Sequence, residues 1–212
     1  RRVREIGVFS ELVPYNITAE EIKKINPKGI ILSGGPASVY ENGAPLMDEK
    51  IFSLGIPILG ICYGFQLIGK KFGKVLPHKL KEFGKKELRV KKFGSILKNL
   101  GKKEQIWMSH GDLLTQLPSD FNILALTDTC PLAAAESEKR KIYGIQFHAE
   151  VAHTLKGKQI LKNFVIDICK AKTDWNVKDA AKQLIEEIKN TVGNKAVIMG
   201  TSGGVDSSVA AA

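Results

Sequence analysis

The stretch Ile56–Phe72, IPILGICYGFQLIGKKF, restricts this chain more than any other. An apolar run, Ile56–Ile61, reads as a short buried strand, and the residues after it read as a helix. Between them sits Gly60-Ile61-Cys62-Tyr63-Gly64, a G-x-C-x-G turn. This is the pattern of a nucleophile elbow, where glycines flank a central side chain held out at a sharp bend. The sulfur would stand beside the N-terminus of the following helix, whose partial positive charge favours the reactive thiolate. The competing reading is a buried structural cysteine that packs as a small hydrophobe.

The 212 residues leave room for one large domain, or one domain and part of another. Their hydrophobic fraction of 43% fits a globular chain, and no run approaches the length that crosses a bilayer. Arg1-Arg2 leads into a mixed polar segment, so no signal peptide is expected. Three widely spaced cysteines make no disulfide framework, and a reducing cytoplasm is the expected compartment. The first residue is not Met and the chain stops in mid-pattern, so a piece of a longer protein is expected. The net charge of +10 is densest over Lys70–Lys92. That run has little aromatic interleaving and no nucleic-acid motif, so it reads as a solvated Lys-rich hairpin rather than a nucleic-acid footprint.

In chain order, Arg1–Glu5 reads as a helix end and Gly7–Val13 as a strand. Thr18 caps a helix over Ala19–Ile25, with Glu20 and Glu21 in its first turn. Gly29–Leu32 reads as a strand, followed by a loop with a short helix toward Phe52. Strand and helix alternating in this order predict a mostly parallel sheet flanked by helices. Later strands are expected at Glu87–Lys92, Gln105–Met108 and Lys141–Phe147. Ile123–Thr127 and Leu132–Glu136 are expected to pair antiparallel, and Lys158–Lys170 is expected to be helical. The composition then shifts. Residues 1–172 read as one domain and 173–212 as a linker helix, Val177–Val192, plus the start of a second α/β domain. That second domain opens with a strand, Lys195–Met199, and a glycine-serine loop.

Three constellations carry chemistry. A cysteine nucleophile needs a histidine base, and the base needs an orienting group. His148 and Glu150 lie two apart at a strand end, which places both on one face. His110 and Asp112 share that spacing and are the second candidate pair; His78 and His153 complete the histidines. The second constellation, Ser33-Gly34-Gly35-Pro36, follows an apolar strand and leaves N–H groups open to an oxyanion, though taken alone an ordinary Gly-Pro turn is the better account of it. The third, Ser202-Gly203-Gly204-Val205-Asp206-Ser207-Ser208, turns a strand into a helix and suits a phosphate. No metal site is read in the chain.

The elbow with Phe65 and Gln66, His148-x-Glu150 downstream and Ser33–Pro36 upstream resembles the class I glutamine amidotransferases. Trp107-Met108-Ser109-His110-Gly111-Asp112 resembles their GMP synthase branch, and Ser202–Ser208 resembles the pyrophosphate loop of ATP pyrophosphatases. The resemblance implies a flavodoxin-like open sheet with Cys62 as nucleophile, His148 as general base and acid, and Glu150 as its orienter. It implies an oxyanion hole from the N–H groups of Gly35 and Tyr63, with Gln66, Ser109, His110 and Asp112 around glutamine. It further implies that Ser202, Gly203, Gly204, Val205, Asp206, Ser207 and Ser208 bind ATP, with Mg²⁺. Ammonia would then aminate XMP to GMP in the whole protein. A homodimer formed through a C-terminal region is implied, and neither nucleic acid nor membrane is expected as a partner.

There are departures. Ala149 stands where the family usually has Pro, which removes a fixed φ between His148 and Glu150. The D-F-G-S-Q-like strand and turn that usually precede the Arg1-Arg2 segment are not in the sequence. Three other functions compete: the glutaminase of another class I amidotransferase, a related cysteine hydrolase, and a non-catalytic module using the Lys70–Lys92 surface.

Overall fold

The computed structural model describes residues 1–211, apart from the side chains at positions 78–80, 177–181, 183 and 210–211. Contacts divide the chain into Arg1–Asp174 and Trp175–Ala212; the sequence reading places the boundary after residue 172.

The first unit is built on a seven-stranded sheet. Its strands are β1 (Ile30–Leu32), β2 (Ile58–Ile61), β3 (Lys74–Val90), β4 (Lys103–Gln116), β5 (Asn122–Leu126), β6 (Ala134–Ser137) and β7 (Ile142–Ile145). They lie in the order β1-β2-β7-β6-β5-β3-β4. The helices are α1 (Ala19–Ile25), α2 (Tyr63–Phe72) and α3 (Gly157–Lys162), which runs on into a π-helical segment, Asn163–Ile168. The α/β architecture is the expected one, but the expected predominance of parallel pairing is not. Among the described residues only β1–β2 and β2–β7 pair in parallel. The ladders β3–β4, β3–β5, β5–β6 and β6–β7 are antiparallel. The connections after β5 and β6 are too short for a crossover, so each following strand must return beside its predecessor.

Both faces of the parallel part are covered. On β7, Ile142 faces one core with Phe65 and Ile68 of α2. Tyr143 and Ile145 face the other, with Phe164 and Leu161. The period of two along the strand produces this division. Thr18 caps α1 as expected: its hydroxyl accepts from the Glu21 N–H at 3.2 Å, and Glu21 takes the Thr18 N–H at 2.8 Å.

Several elements differ from the sequence reading. Arg1–Glu5 is not a helix end; a 3₁₀ turn covers Arg4–Ile6. Gly7–Val13 forms no strand: Phe9 and Leu12 are exposed, and the Arg4 guanidinium donates to the Ser10 carbonyl instead. Apolar content alone does not make a strand where no ladder partner pairs with it. β3 and β4 extend far beyond Glu87–Lys92 and Gln105–Met108, and pair from Lys74–Gln116 to Arg89–Lys103. β4 outran its apolar signal because its inward face continues from Ile106 and Met108 to His110 and Asp112, all buried. Polar residues on a core face break the periodicity from which strands are read. The Lys-rich run does not fold into a hairpin of its own: it holds the end of α2 and then the single strand β3, which pairs with β4. The helix at Lys158–Lys170 is α3 plus the π segment, within which buried Asn163 donates to the carbonyls of Ile96 and Lys98 at 2.9 and 2.7 Å.

In the second unit α4 spans Val177–Val192 and α5 spans Val205–Ala211. Lys195–Met199 is not a strand; Val197 and Ile198 are exposed, and no strand among the described residues pairs with them. No helix among the described residues is long and apolar enough to cross a membrane.

Candidate active site

β2 is buried along its whole length and delivers Cys62 to its C-terminal end. The bend is made by Cys62 itself, at φ 51° and ψ −106°. A side-chain-bearing residue in that region is strained, and such strain collects at functional sites. The flanking glycines act differently from the sequence expectation. Neither takes a left-handed conformation; they allow close approach. A Cβ on Gly64 would lie 2.1 Å from the Leu32 carbonyl oxygen of β1, and one on Gly60 would lie 2.6 Å from the Gly64 carbonyl oxygen. α2 can therefore start directly against the sheet. Tyr63 is its first residue, so the Tyr63 N–H has no helical carbonyl to satisfy it.

β7 lies beside β2 in parallel, and the Cys62 N–H donates to the Ile145 carbonyl at 2.9 Å. The chain leaving β7 thus carries His148 to the same end of the sheet, across a wide gap in sequence. The His148 N–H donates to the Trp107 carbonyl at 3.0 Å, and the Thr154 hydroxyl donates to the His148 carbonyl at 2.6 Å. These bonds fix the backbone on either side of the ring. His148 Nδ1–H donates to Glu150 Oε1 at 2.6 Å, and the Glu150 carbonyl is held in turn by Arg2 Nε at 2.7 Å. Ala149, between them, is buried.

The imidazole is strongly biased toward its charged form. The Cys62 side chain is the largest cause, Glu150 follows, and burial opposes both; together they raise the His148 pKa to about 10. Burial is the largest single influence on the Glu150 carboxyl and pushes it up, but the bond to His148, a backbone N–H bond and the imidazolium charge together leave it below the usual range. His148 Nε2 is buried and makes no regular hydrogen bond. Its interaction with the Cys62 side chain is hydrogen-bond-like first and coulombic second, and the thiol donates to the Ser109 carbonyl at 3.3 Å.

The Ser33–Pro36 loop crosses directly above this pair. A Cβ on Gly34 would meet His148 Cε1 at 2.9 Å and Cys62 Cβ at 3.6 Å, and one on Gly35 would touch the Tyr63 ring at 3.7 Å. Gly34, which the sequence singles out only as part of a motif, is required here by closeness to the imidazole.

These elements enclose a cleft of about 750 Å³ that reaches Cys62, His148, Gly35, Gln66, Ser109, His110 and Asp112. Gln66 Nε2 donates to the Asp112 carbonyl at 3.0 Å, and the Ser38 hydroxyl donates to Asp112 Oδ2 at 2.6 Å. His110 is engaged at both ring nitrogens, Nδ1 with the Asp112 carbonyl at 2.9 Å and Nε2 with Glu82 Oε2 at 3.1 Å. Glu82 is 3% exposed, and Thr129 donates to its other oxygen at 2.6 Å. Burial raises the Glu82 carboxyl, while His110 and Thr129 together hold it below the usual range. The sequence reading missed Glu82 and Ser38. Glu82 lies in the Lys-rich run, and nothing local distinguishes it from a surface glutamate.

His153 stacks on Trp107 with ring centroids 4.5 Å apart. The side chain of His78 lies outside the described residues. In the second unit the 202–208 loop leads into α5, and Gly203 sits at φ 77° with no atom within 4 Å of where a Cβ would stand. The Ser207 and Ser208 hydroxyls donate to the Gly204 carbonyl at 3.1 and 2.9 Å. Among the described residues no group of three or more His, Cys, Asp or Glu side chains is placed to hold a metal.

Comparison with known proteins shows the family. The family model for class-I glutamine amidotransferases matches residues 1–168. A Bacillus cereus protein named GMP synthase [glutamine-hydrolyzing] is 51% identical over 212 residues, covering 100% of this chain and 41% of that protein. An Aquifex aeolicus protein of the same name is 50% identical over 212 residues, covering 100% of this chain and 42% of that one. The chain thus spans about two-fifths of the length of these curated relatives. A crystal structure from Thermoplasma acidophilum, described as that of a candidate GMP synthase subunit, superposes with a TM-score of 0.73 at 34% identity, covering 88% of this chain and 89% of that one. With the family matched from the first residue through the π-helical segment, this chain belongs to the class-I glutamine amidotransferases.

Proposed function

We propose that this chain is the glutamine-hydrolysing part of a GMP synthase. The observation that carries the reading is the His148–Glu150 pair, bonded at 2.6 Å and coupled to a cysteine on a positive-φ elbow. The Cys62 thiolate attacks the side-chain amide carbon of glutamine. The oxyanion that forms is met by the N–H groups of Tyr63 and Gly35. The His148 imidazolium gives its proton to the departing nitrogen, and ammonia leaves a glutamyl thioester. The neutral imidazole then takes a proton from water, the hydroxide adds to the thioester, and glutamate is released as the thiolate returns. Glu150 orients the ring throughout. Gln66, Ser109, His110 and Asp112 line the space that glutamine would fill.

The names of the two relatives support the wider reading, in which ammonia converts XMP to GMP at the expense of ATP. The N–H groups around Gly203, the start of α5 and the hydroxyls of Ser202, Ser207 and Ser208 are the kinds of donor a pyrophosphate needs. Val205 and Asp206 are the first residues of α5. ATP, bound with Mg²⁺, would supply the activation of the XMP C2 oxygen that ammonia displaces. Pairing of two copies through residues beyond 212 belongs to the same proposal and rests on the family resemblance. Three unpaired, buried cysteines favour a reducing compartment, the cytoplasm.

Cys62→Ala in the full-length protein tests the reading. Glutamine hydrolysis is expected to fall to background while the melting temperature is retained. Glutaminase activity persisting in that variant overturns the assignment.

A further inference from the structure

The cleft contains a cation that the reaction above does not use. Among the described residues lining it, Lys81 is the one lysine or arginine. It ends an irregular stretch of β3, where pairing jumps from Pro77–Asp112 to Glu82–His110. Interruptions of this kind re-aim side chains and recur beside active sites. The Lys81 stem lies along Gly111: a Cβ there would touch Lys81 Cγ and Cε at 3.8 Å, ordinary contact. The methylenes thus rest on backbone, and the ammonium stays hydrated at the cleft. Lys86, on the same strand, reaches Glu82 at 3.6 Å. Lys81 has no ion pair or hydrogen bond among the described residues. The acidic groups of the cleft are Glu41 and Asp112, and the Ser38 hydroxyl occupies one oxygen of Asp112.

An α-amino acid is a zwitterion, with a carboxylate and an ammonium on one carbon. When its side-chain amide reaches Cys62, that carbon remains toward the opening of the cleft. We propose that Lys81 is the specificity-determining residue that takes the α-carboxylate of glutamine. The inference rests on the glutamine reading above and names the group that separates free glutamine from glutamine blocked at its carboxyl end. An ammonium–carboxylate bond is charge-assisted and stronger than a neutral one. It is made far from the reacting atoms and equally in ground and transition states, so its loss appears in KM rather than kcat.

The test compares wild type, Lys81→Met and Lys81→Arg in the full-length protein. Two substrates are used: glutamine, and glutamine α-amide followed by release of isoglutamine. Lys81→Met is expected to raise the glutamine KM about tenfold with kcat within about twofold, without changing kcat/KM for the α-amide. Lys81→Arg is expected to restore most of the affinity for glutamine. An equal loss on both substrates in Lys81→Met would show a packing role and overturn the proposal, as would an unchanged glutamine KM. Wild-type protein that hydrolyses neither substrate would instead overturn the glutamine reading beneath it.

Discussion

The charge on one imidazole couples the chemistry of this site to the stability of the fold. His148 titrates near 6.5 when free, and its neighbours raise it to about 10 in the folded chain. A raised pKa means that the folded state holds this proton more tightly than the unfolded one. The stability contributed by the group is therefore full below pH 6.5 and is lost as pH rises toward 10. Glu150 remains ionised across that window, because its own pKa is lowered. Replacing Glu150 by Gln removes one of the two partners and brings the His148 pKa down. Melting temperatures between pH 6.5 and 10 are expected to fall less steeply in Glu150→Gln than in wild type; equal slopes would refute the coupling. The same variant should lose about a hundredfold in kcat, the scale of a mis-set general base. His148 and Glu150 were legible as a pair through their spacing of two, although β7 ends at Ile145 rather than Phe147 and the turn after it, not a shared strand face, brings them together. Glu82 was not, since its part is defined largely by His110 on β4 and by Thr129 in the segment between β5 and β6, both distant in sequence.

The elbow shows how an element transmits constraint to the site. Its strand, turn and helix are written locally, in an apolar run and a helix-period pattern. Its tightness is not, because Gly64 is small for the sake of Leu32 on the neighbouring strand. In Gly64→Ala the new methyl would meet the Leu32 carbonyl carbon and Cβ at 2.6 Å, so β1 or α2 must move. A cost of about 2 kcal/mol is expected from overpacking, read as a lower urea midpoint. Glutaminase activity should fall with it, because the displaced start of α2 carries the Tyr63 N–H. Wild-type stability in that variant would mean that the contact relaxes freely. β4 teaches the reverse lesson. Its apolar alternation stops at Met108 because His110 and Asp112 occupy core-facing positions, so the strand was underread at the place where it becomes functional.

At the scale of the molecule, the hydrophobic clusters among the described residues draw on the first unit. That unit buries its own core, and α4 exposes Leu184, Ile185 and Ile188. Limited proteolysis is expected to cut first between Cys169 and Val177, leaving a protected N-terminal fragment. A first cut inside residues 1–168 would contradict this division. The amino-acid order by itself pointed to Cys62 on its elbow, to two His-x-acid pairs of which His148–Glu150 is one, to the capped α1 and to the α/β class. Each is signalled by residues close together in the sequence. Only the tertiary structure decided the largely antiparallel sheet, the length of β3 and β4, and the failure of Gly7–Val13 and Lys195–Met199 to become strands. It also decided the union of Cys62, His148, Gly34 and the Glu82–His110 pair. A strand exists only through the partner that completes its hydrogen bonds, and a site exists only where separate strands end together.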